Sequence, residues 1–80
     1  MKPAFKKLKP AKQNIILLSA IEEFFNYGFK DASTNRIVEK AEISKGSLYY
    51  YFGNKSDLYN SCQSYTFDIF IDYVKNYTQT

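Results

Sequence analysis

The side chains with the clearest capacity for binding lie together in one short segment, Ser44–Tyr51. Placed on a helix at about 100° per residue, this segment turns most of its hydroxyl groups toward one arc. That arc holds Gly46, Ser47, Tyr49 and Tyr50, with Lys45 and Tyr51 at its two margins. A run of aromatic residues is more often core than site, but here Leu48 and Phe52, four residues apart, already fill the inward face. Because outward hydroxyl and ammonium groups suit phosphates and base edges, we expect this arc to contact DNA.

A second short helix and a tight turn must hold this arc in place. Ser33 can cap a helix over residues 34–40, because its side-chain oxygen can accept from a free N–H of the first turn. Residues 41–44 form the turn, and Ser44 can cap the following helix. A positive φ at Glu42 would cost on the order of 1 kcal/mol, since this residue is not glycine. Two helices joined in this way predict a helix-turn-helix, whose second helix can enter a DNA major groove.

A longer helix precedes this pair. It is predicted to begin after Pro10 and to end near Tyr27, with Gly28 as a left-handed C-cap. Its apolar stripe consists of Ile16, Leu17, Ala20, Ile21 and Phe24. Phe29 is expected to return to the core in the loop over residues 29–32. The predicted fold class is all-α: a three-helix bundle with a helix-turn-helix, followed by the start of a fourth long helix.

The fourth helix is predicted to open at Asn54, which with Asp57 gives an Asn-x-x-Asp capping arrangement. Lys55 lies in its first turn, where a positive charge opposes the helix dipole. A phosphate bound at this end would explain the lysine, whereas the alternative is an ordinary exposed side chain. Further along, residues 65–77 are apolar or aromatic on nearly every side of the helix. Because a small bundle covers one side only, we expect this part to be buried in something larger.

The positive charge is concentrated at the N-terminus. Residues 1–12 carry five lysines and no acid, whereas the other 68 residues carry six basic and eight acidic side chains. Pro3 and Pro10 interrupt this basic segment, which we expect to be a flexible arm. A basic arm can follow phosphates or enter a minor groove, and a solvated tail is an almost equally good interpretation. We divide the chain into this arm, a helix-turn-helix domain over residues 13–58, and a helix over residues 59–80.

Composition argues against an enzyme. The 80 residues include no histidine and one cysteine, Cys62, so neither an acid–base pair nor a metal site can be assembled convincingly. We expect no cofactor and no metal. A hydrophobic content of 45% argues against disorder, and no apolar run approaches the roughly 20 residues of a membrane span. A lone cysteine suits a reducing compartment, so we expect a soluble cytoplasmic protein.

These features are shared with a known family. The matching positions are Gly28, Ser33, the run IVEKAEISKGSLYYYF over residues 37–52, Asn54, Lys55 and Leu58. Together they resemble the N-terminal DNA-binding domain of TetR-family transcriptional repressors, over roughly residues 16–58. The chain departs from the family pattern at three places, with Glu42 where glycine is frequent, Val38 where alanine is frequent, and Tyr51 where histidine is frequent.

The chemistry of the second helix suggests individual roles. Lys45 is long enough to reach a guanine edge or a phosphate. Gly46 lets the backbone approach DNA closely, and Ser47 can both donate and accept. Tyr49 and Tyr50 offer hydroxyls to phosphates and ring faces to thymine methyl groups.

The resemblance implies further contacts. It assigns phosphate contacts to Tyr51 and Lys55, and contacts with backbone or bases to Thr34 and Asn35. The position of Arg36 also makes a phosphate contact possible, and a surface salt bridge with an acid such as Glu39 is the competing interpretation.

The resemblance also sets the expected partners. Family members bind near-palindromic double-stranded DNA operators as homodimers and respond to a small-molecule effector. A C-terminal domain carries both the dimer contacts and the effector-binding site. We expect the 80 residues to be a fragment without that domain. The alternative is a helical protein-interaction module, in which the aromatic C-terminal helix binds a partner and the helix-turn-helix is only scaffold.

Overall fold

A computed structural model of the protein describes residues 1–78. The helices in that part of the chain are α1 (Pro3–Lys6), α2 (Pro10–Asp31), α3 (Thr34–Ala41), α4 (Lys45–Tyr51) and α5 (Lys55–Thr78). No strand occurs among these residues, and the predicted all-α class with a helix-turn-helix is confirmed. Nor does any described helix combine the length and hydropathy needed to cross a membrane.

The N-terminal segment differs from its prediction. Residues 1–12 are predicted to form a flexible arm, but in the structure Pro3–Lys6 forms a helical turn and α2 already begins at Pro10. The physical reason is Phe5, whose side chain is fully buried against the core. Burying a phenylalanine contributes roughly 1.5–3 kcal/mol, enough to order a short segment that lysine content alone would leave in solvent.

The core lies between α2, α3, α4 and the first half of α5. Its buried apolar residues are Phe5, Ile16, Leu17, Ala20, Phe24, Ala32, Ile37, Ala41, Leu48, Phe52, Leu58 and Cys62. Leu48 and Phe52 are each 1% exposed, as their spacing predicts. Burial also raises the pKa of the Cys62 thiol to about 12, so this thiol is held as a neutral core side chain.

Gly28 bends the end of α2. Its backbone has φ 76° and ψ 170°, a region that essentially only glycine occupies. The predicted positive φ is therefore present, but ψ lies outside the left-handed helical region, and one further turn follows as far as Asp31. Phe29 does not return to the core as predicted, since it is 40% exposed. Its ring packs against Tyr59, with the ring centroids 5.2 Å apart.

The turn between α3 and α4 is a Schellman motif. Glu42 adopts the left-handed conformation, with φ 58° and ψ 42°. Its N–H donates to the carbonyl of Glu39, and the N–H of Ile43 donates to the carbonyl of Val38 at 3.0 Å. These two bonds satisfy carbonyls that the helix end would leave unpaired. They explain how the turn tolerates a non-glycine residue at the left-handed position.

Candidate nucleic-acid interface

Helix α4 has one buried and one exposed face. Ser44 caps the helix, its Oγ accepting from the N–H of Ser47 at 3.0 Å. Leu48 lies on the buried face of the helix, whereas Tyr49 is 39% and Tyr50 65% exposed. Lys45 and Gly46 are also exposed. The structure therefore brings four of the predicted site residues together on one accessible surface, which we call the α4 face: Lys45, Gly46, Tyr49 and Tyr50.

Ser47 and Tyr51 are less available than their neighbours. The Ser47 hydroxyl is half-buried and accepts a hydrogen bond from the Ser44 hydroxyl at 2.9 Å. Tyr51 is half-buried as well, because its ring meets that of Phe5 edge-on with centroids 5.9 Å apart. Contact with α1 thus draws Tyr51 toward the body of the domain.

The three site residues predicted at the start of α3 differ in exposure and in contacts. Asn35 is exposed and Thr34 half-buried, but Arg36 is directed toward α2. Its Nη2 lies 2.7 Å and its Nε 2.8 Å from Oε2 of Glu23, and its guanidinium lies 4.1 Å from the ring centroid of Tyr27. The structure therefore pairs Arg36 with Glu23 rather than with Glu39.

Glu23 joins α2 to the N-terminus of α3. Its side chain is about nine-tenths buried, and it also accepts from the N–H of Ser33 at 2.9 Å. The hydrogen bond from Arg36 lowers the pKa of Glu23 below its ordinary value of 4.5, with the Ser33 N–H acting in the same direction. This carboxylate orients the helix that carries Thr34 and Asn35.

The lowered pKa of Glu23 predicts a pH dependence of folding. A carboxylate with a depressed pKa stabilises the native state above its unfolded pKa, and this contribution is lost as the pH falls through the folded value. We expect the free energy of unfolding to fall below pH 4.5, and Glu23→Gln to make this fall shallower. Urea unfolding at several pH values measures both. Glu39→Gln removes an exposed carboxylate on α3 and serves as the control; an equal effect of the two substitutions would contradict the assignment.

The start of α5 is capped as predicted. The Asn54 side chain accepts from the N–H of Asp57 at 2.8 Å, and Asp57 accepts from the N–H of Gly53 at 2.9 Å. Lys55 is half-buried: its Nζ donates to the carbonyl of Lys30 at 3.2 Å and lies 5.0 Å from the ring centroid of Phe29. A contact with the end of α2 therefore also accounts for this lysine, and its phosphate contact stays a prediction.

The structure adds α1, which sequence reasoning did not place beside the site. An open groove between α1 and α4 is lined by residues that include Lys2, Lys7, Tyr50 and Tyr51. The available signal was Phe5, an apolar residue three positions before Leu8, in a segment with proline at the first helical position. Two basic side chains of the N-terminal segment, Lys2 and Lys7, consequently line a groove next to Tyr50 of the α4 face.

Comparison with known proteins agrees with this geometry. Residues 16–62 match the model of the family described as bacterial regulatory proteins, tetR family. The chain is 33% identical over 69 residues to the HTH-type transcriptional regulator RutR of Escherichia coli, covering 86% of this chain and 32% of that protein. It is 32% identical over 59 residues to IcaR of Staphylococcus epidermidis, covering 74% of this chain and 32% of that protein. IcaR is described as a negative transcriptional regulator of the biofilm operon icaADBC.

A third relative, the uncharacterized HTH-type transcriptional regulator YuxN of Bacillus subtilis, is 33% identical over 57 residues, covering 71% of this chain and 20% of that protein. The chain thus spans a third or less of the length of these curated relatives. No solved structure matches it. All three relatives are regulators rather than enzymes, and the family match includes the whole helix-turn-helix. The chain belongs to the tetR family of bacterial regulatory proteins.

Proposed function

We propose that this chain is the DNA-binding domain of a ligand-responsive transcriptional repressor. The observation that supports this most directly is the two-sided construction of α4. Leu48 and Phe52, each 1% exposed, anchor the helix, while Tyr50 remains 65% exposed and Lys45 is exposed as well. This seven-residue helix leaves in solvent the hydroxyl and ammonium groups that contact phosphate oxygens in protein–DNA complexes.

In the proposed complex α4 lies in the major groove, with its N-terminal turn toward the base edges. Lys45 donates to guanine O6 or N7, or to a phosphate. Gly46 has no side chain to hold the backbone away from DNA, and Tyr49 and Tyr50 extend from the same face to phosphates and thymine methyl groups. Asn35, exposed at the start of α3, is suited to bidentate pairing with adenine.

The remaining parts of the proposal concern the whole protein. The relatives are at least three times as long as the matched part, and we propose that the full-length protein dimerises and binds a small-molecule effector outside these 80 residues. Two copies would read a near-palindromic operator in successive major grooves. Repression is supported by IcaR, described as a negative regulator, and DNA as the target implies a cytoplasmic location.

The test is a fluorescence-anisotropy titration of this chain with mixed-sequence double-stranded DNA at low and moderate salt. One domain reaches one half-site, so we expect weak binding, within the non-specific range of about 10⁻⁴–10⁻⁶ M. Its affinity should fall steeply with salt, because each neutralised phosphate contributes about −0.9 to the slope of log K against log salt. Tight sequence-specific binding by the monomer would contradict the half-site proposal.

The alternative function is a protein-interaction module, and the exposed aromatic residues favour it. Phe25 is 88%, Phe67 62% and Phe70 59% exposed, and these three side chains line an apolar groove between α2 and α5. Aromatic contacts weaken little with salt or strengthen, so salt separates this function from DNA binding. Absence of DNA binding even at low salt would favour the interaction module.

A further inference from the structure

The last turn of α4 receives hydrogen bonds from the N-terminus of the chain. The N–H of Lys2 donates to the carbonyl of Tyr51 at 2.8 Å, and Nζ of Lys2 donates to the carbonyl of Tyr49 at 3.2 Å. The final carbonyls of a helix have no partner within the helix, and this helix has only seven residues. A positive charge at the carboxyl end is also favourable to the helix dipole. Lys2 thus provides hydrogen-bond donors to two of the carbonyls at the end of α4.

Three residues further on, Phe5 anchors the same segment. Its side chain is fully buried, with its ring centroid 4.9 Å from that of Phe52 and 5.9 Å from that of Tyr51. Pro3 begins the intervening turn, which fixes the backbone between Lys2 and Phe5. The two contacts therefore act together, one on the carbonyls of α4 and one on the rings at its end.

Met1 adds a third attachment, at the loop that joins α4 to α5. Its α-ammonium group forms an ion pair with Asp57, the same carboxylate that accepts from the N–H of Gly53 at 2.9 Å. The ammonium group is the main cause of a lowered pKa at Asp57. Residues 1–5 consequently contact the last turn of α4, the residue that follows it, and the first turn of α5.

We propose that residues 1–5, which we call the N-terminal strap, position the DNA-reading helix, with Lys2 as the positioning residue at its carboxyl end. This inference rests on the proposed function. Tyr49 and Tyr50 project from the turn that the strap holds, so a frayed turn would have to be ordered again when DNA binds. Ordering it beforehand removes that cost from the binding free energy. Lys2 then acts on DNA binding through structure as well as through charge.

The test compares Lys2→Met with Lys6→Met in the 80-residue chain. Both variants lose one positive charge from the same segment, but the side chain of Lys6 is exposed on α1 and only that of Lys2 bonds the end of α4. We expect Lys2→Met to lower the affinity for mixed-sequence DNA about three- to tenfold more than Lys6→Met, the effect of one hydrogen bond. Lys2→Arg should restore most of it.

A second readout does not depend on DNA. Amide hydrogen exchange followed by NMR should be faster at Tyr50, Tyr51 and Phe52 in Lys2→Met, and unchanged in Lys6→Met. A chain extended by Gly-Ser before Met1 moves the α-ammonium group away from Asp57, and should speed exchange at Gly53. Melting curves show whether each variant is folded.

Equal affinities and equal exchange in the Lys2 and Lys6 variants would overturn the inference, whereas weaker DNA binding together with faster exchange in Lys2→Met alone would support it. Failure of the proposed function looks different, because the unaltered chain would then not bind DNA even at low salt. In that case faster exchange in Lys2→Met would leave a strap without a role in DNA binding, and the inference falls with the function.

Discussion

Leu48→Ala is expected to lower the free energy of unfolding by about 2–5 kcal/mol, the range measured for leucines truncated in packed cores. Leu48 is 1% exposed at the centre of α4, so its removal leaves a cavity between α4 and the helices beneath it. A domain of 80 residues has a total stability of about 4–12 kcal/mol at 0.05–0.15 kcal/mol per residue. The substitution therefore removes a large fraction of the stability.

Tyr50→Ala, two residues away, is the matched control. The Tyr50 side chain is 65% exposed, and truncations at exposed sites usually change stability by no more than about 0.5 kcal/mol. Urea unfolding followed by circular dichroism measures both variants. If Tyr50→Ala destabilised the domain as much as Leu48→Ala, the assignment of the two faces of α4 would be wrong.

The local features of the fold could be predicted because a few neighbouring residues determine them. The Ser33 and Ser44 caps need only an oxygen three positions before an N–H, and both bonds are present. The left-handed Glu42 follows in the same way from a tight turn between two helices. The two faces of α4 were predictable because Leu48 and Phe52 are one helical turn apart.

The contacts that the sequence did not predict all join distant parts of the chain. Arg36 pairs with Glu23, thirteen positions earlier, and the crossing of α2 and α3 selects this acid over Glu39 on the same helix. Similarly, Phe5 docks on Phe52 only because α1 and α4 meet. The lysines and prolines of residues 1–12 indicated a flexible arm, and the spacing of Phe5 and Leu8 is a single i, i+3 pair, too short to establish a helical period.

The largest effect on DNA binding is expected for the combined replacement of Lys45, Tyr49 and Lys55 by alanine. Three lost contacts at about 1 kcal/mol each correspond to about a hundredfold weaker binding, and two lost phosphate contacts should reduce the salt slope by about 1.8. Anisotropy titrations at several salt concentrations give both quantities. Lys75→Ala, which removes an exposed charge near the far end of α5, is the control and should leave the affinity nearly unchanged.

Comparing the triple variant with the double variant Lys45→Ala/Tyr49→Ala tests the role of Lys55. In the free protein its Nζ is bonded to the carbonyl of Lys30 and lies over the ring of Phe29, which is a sufficient structural reason for a lysine at this place. If Lys55 leaves these contacts for a phosphate, adding Lys55→Ala to the double variant should reduce the salt slope by a further 0.9 or so. If the slope does not change while the free energy of unfolding falls, Lys55 joins α5 to α2, and the phosphate contact implied by family resemblance does not hold in this chain.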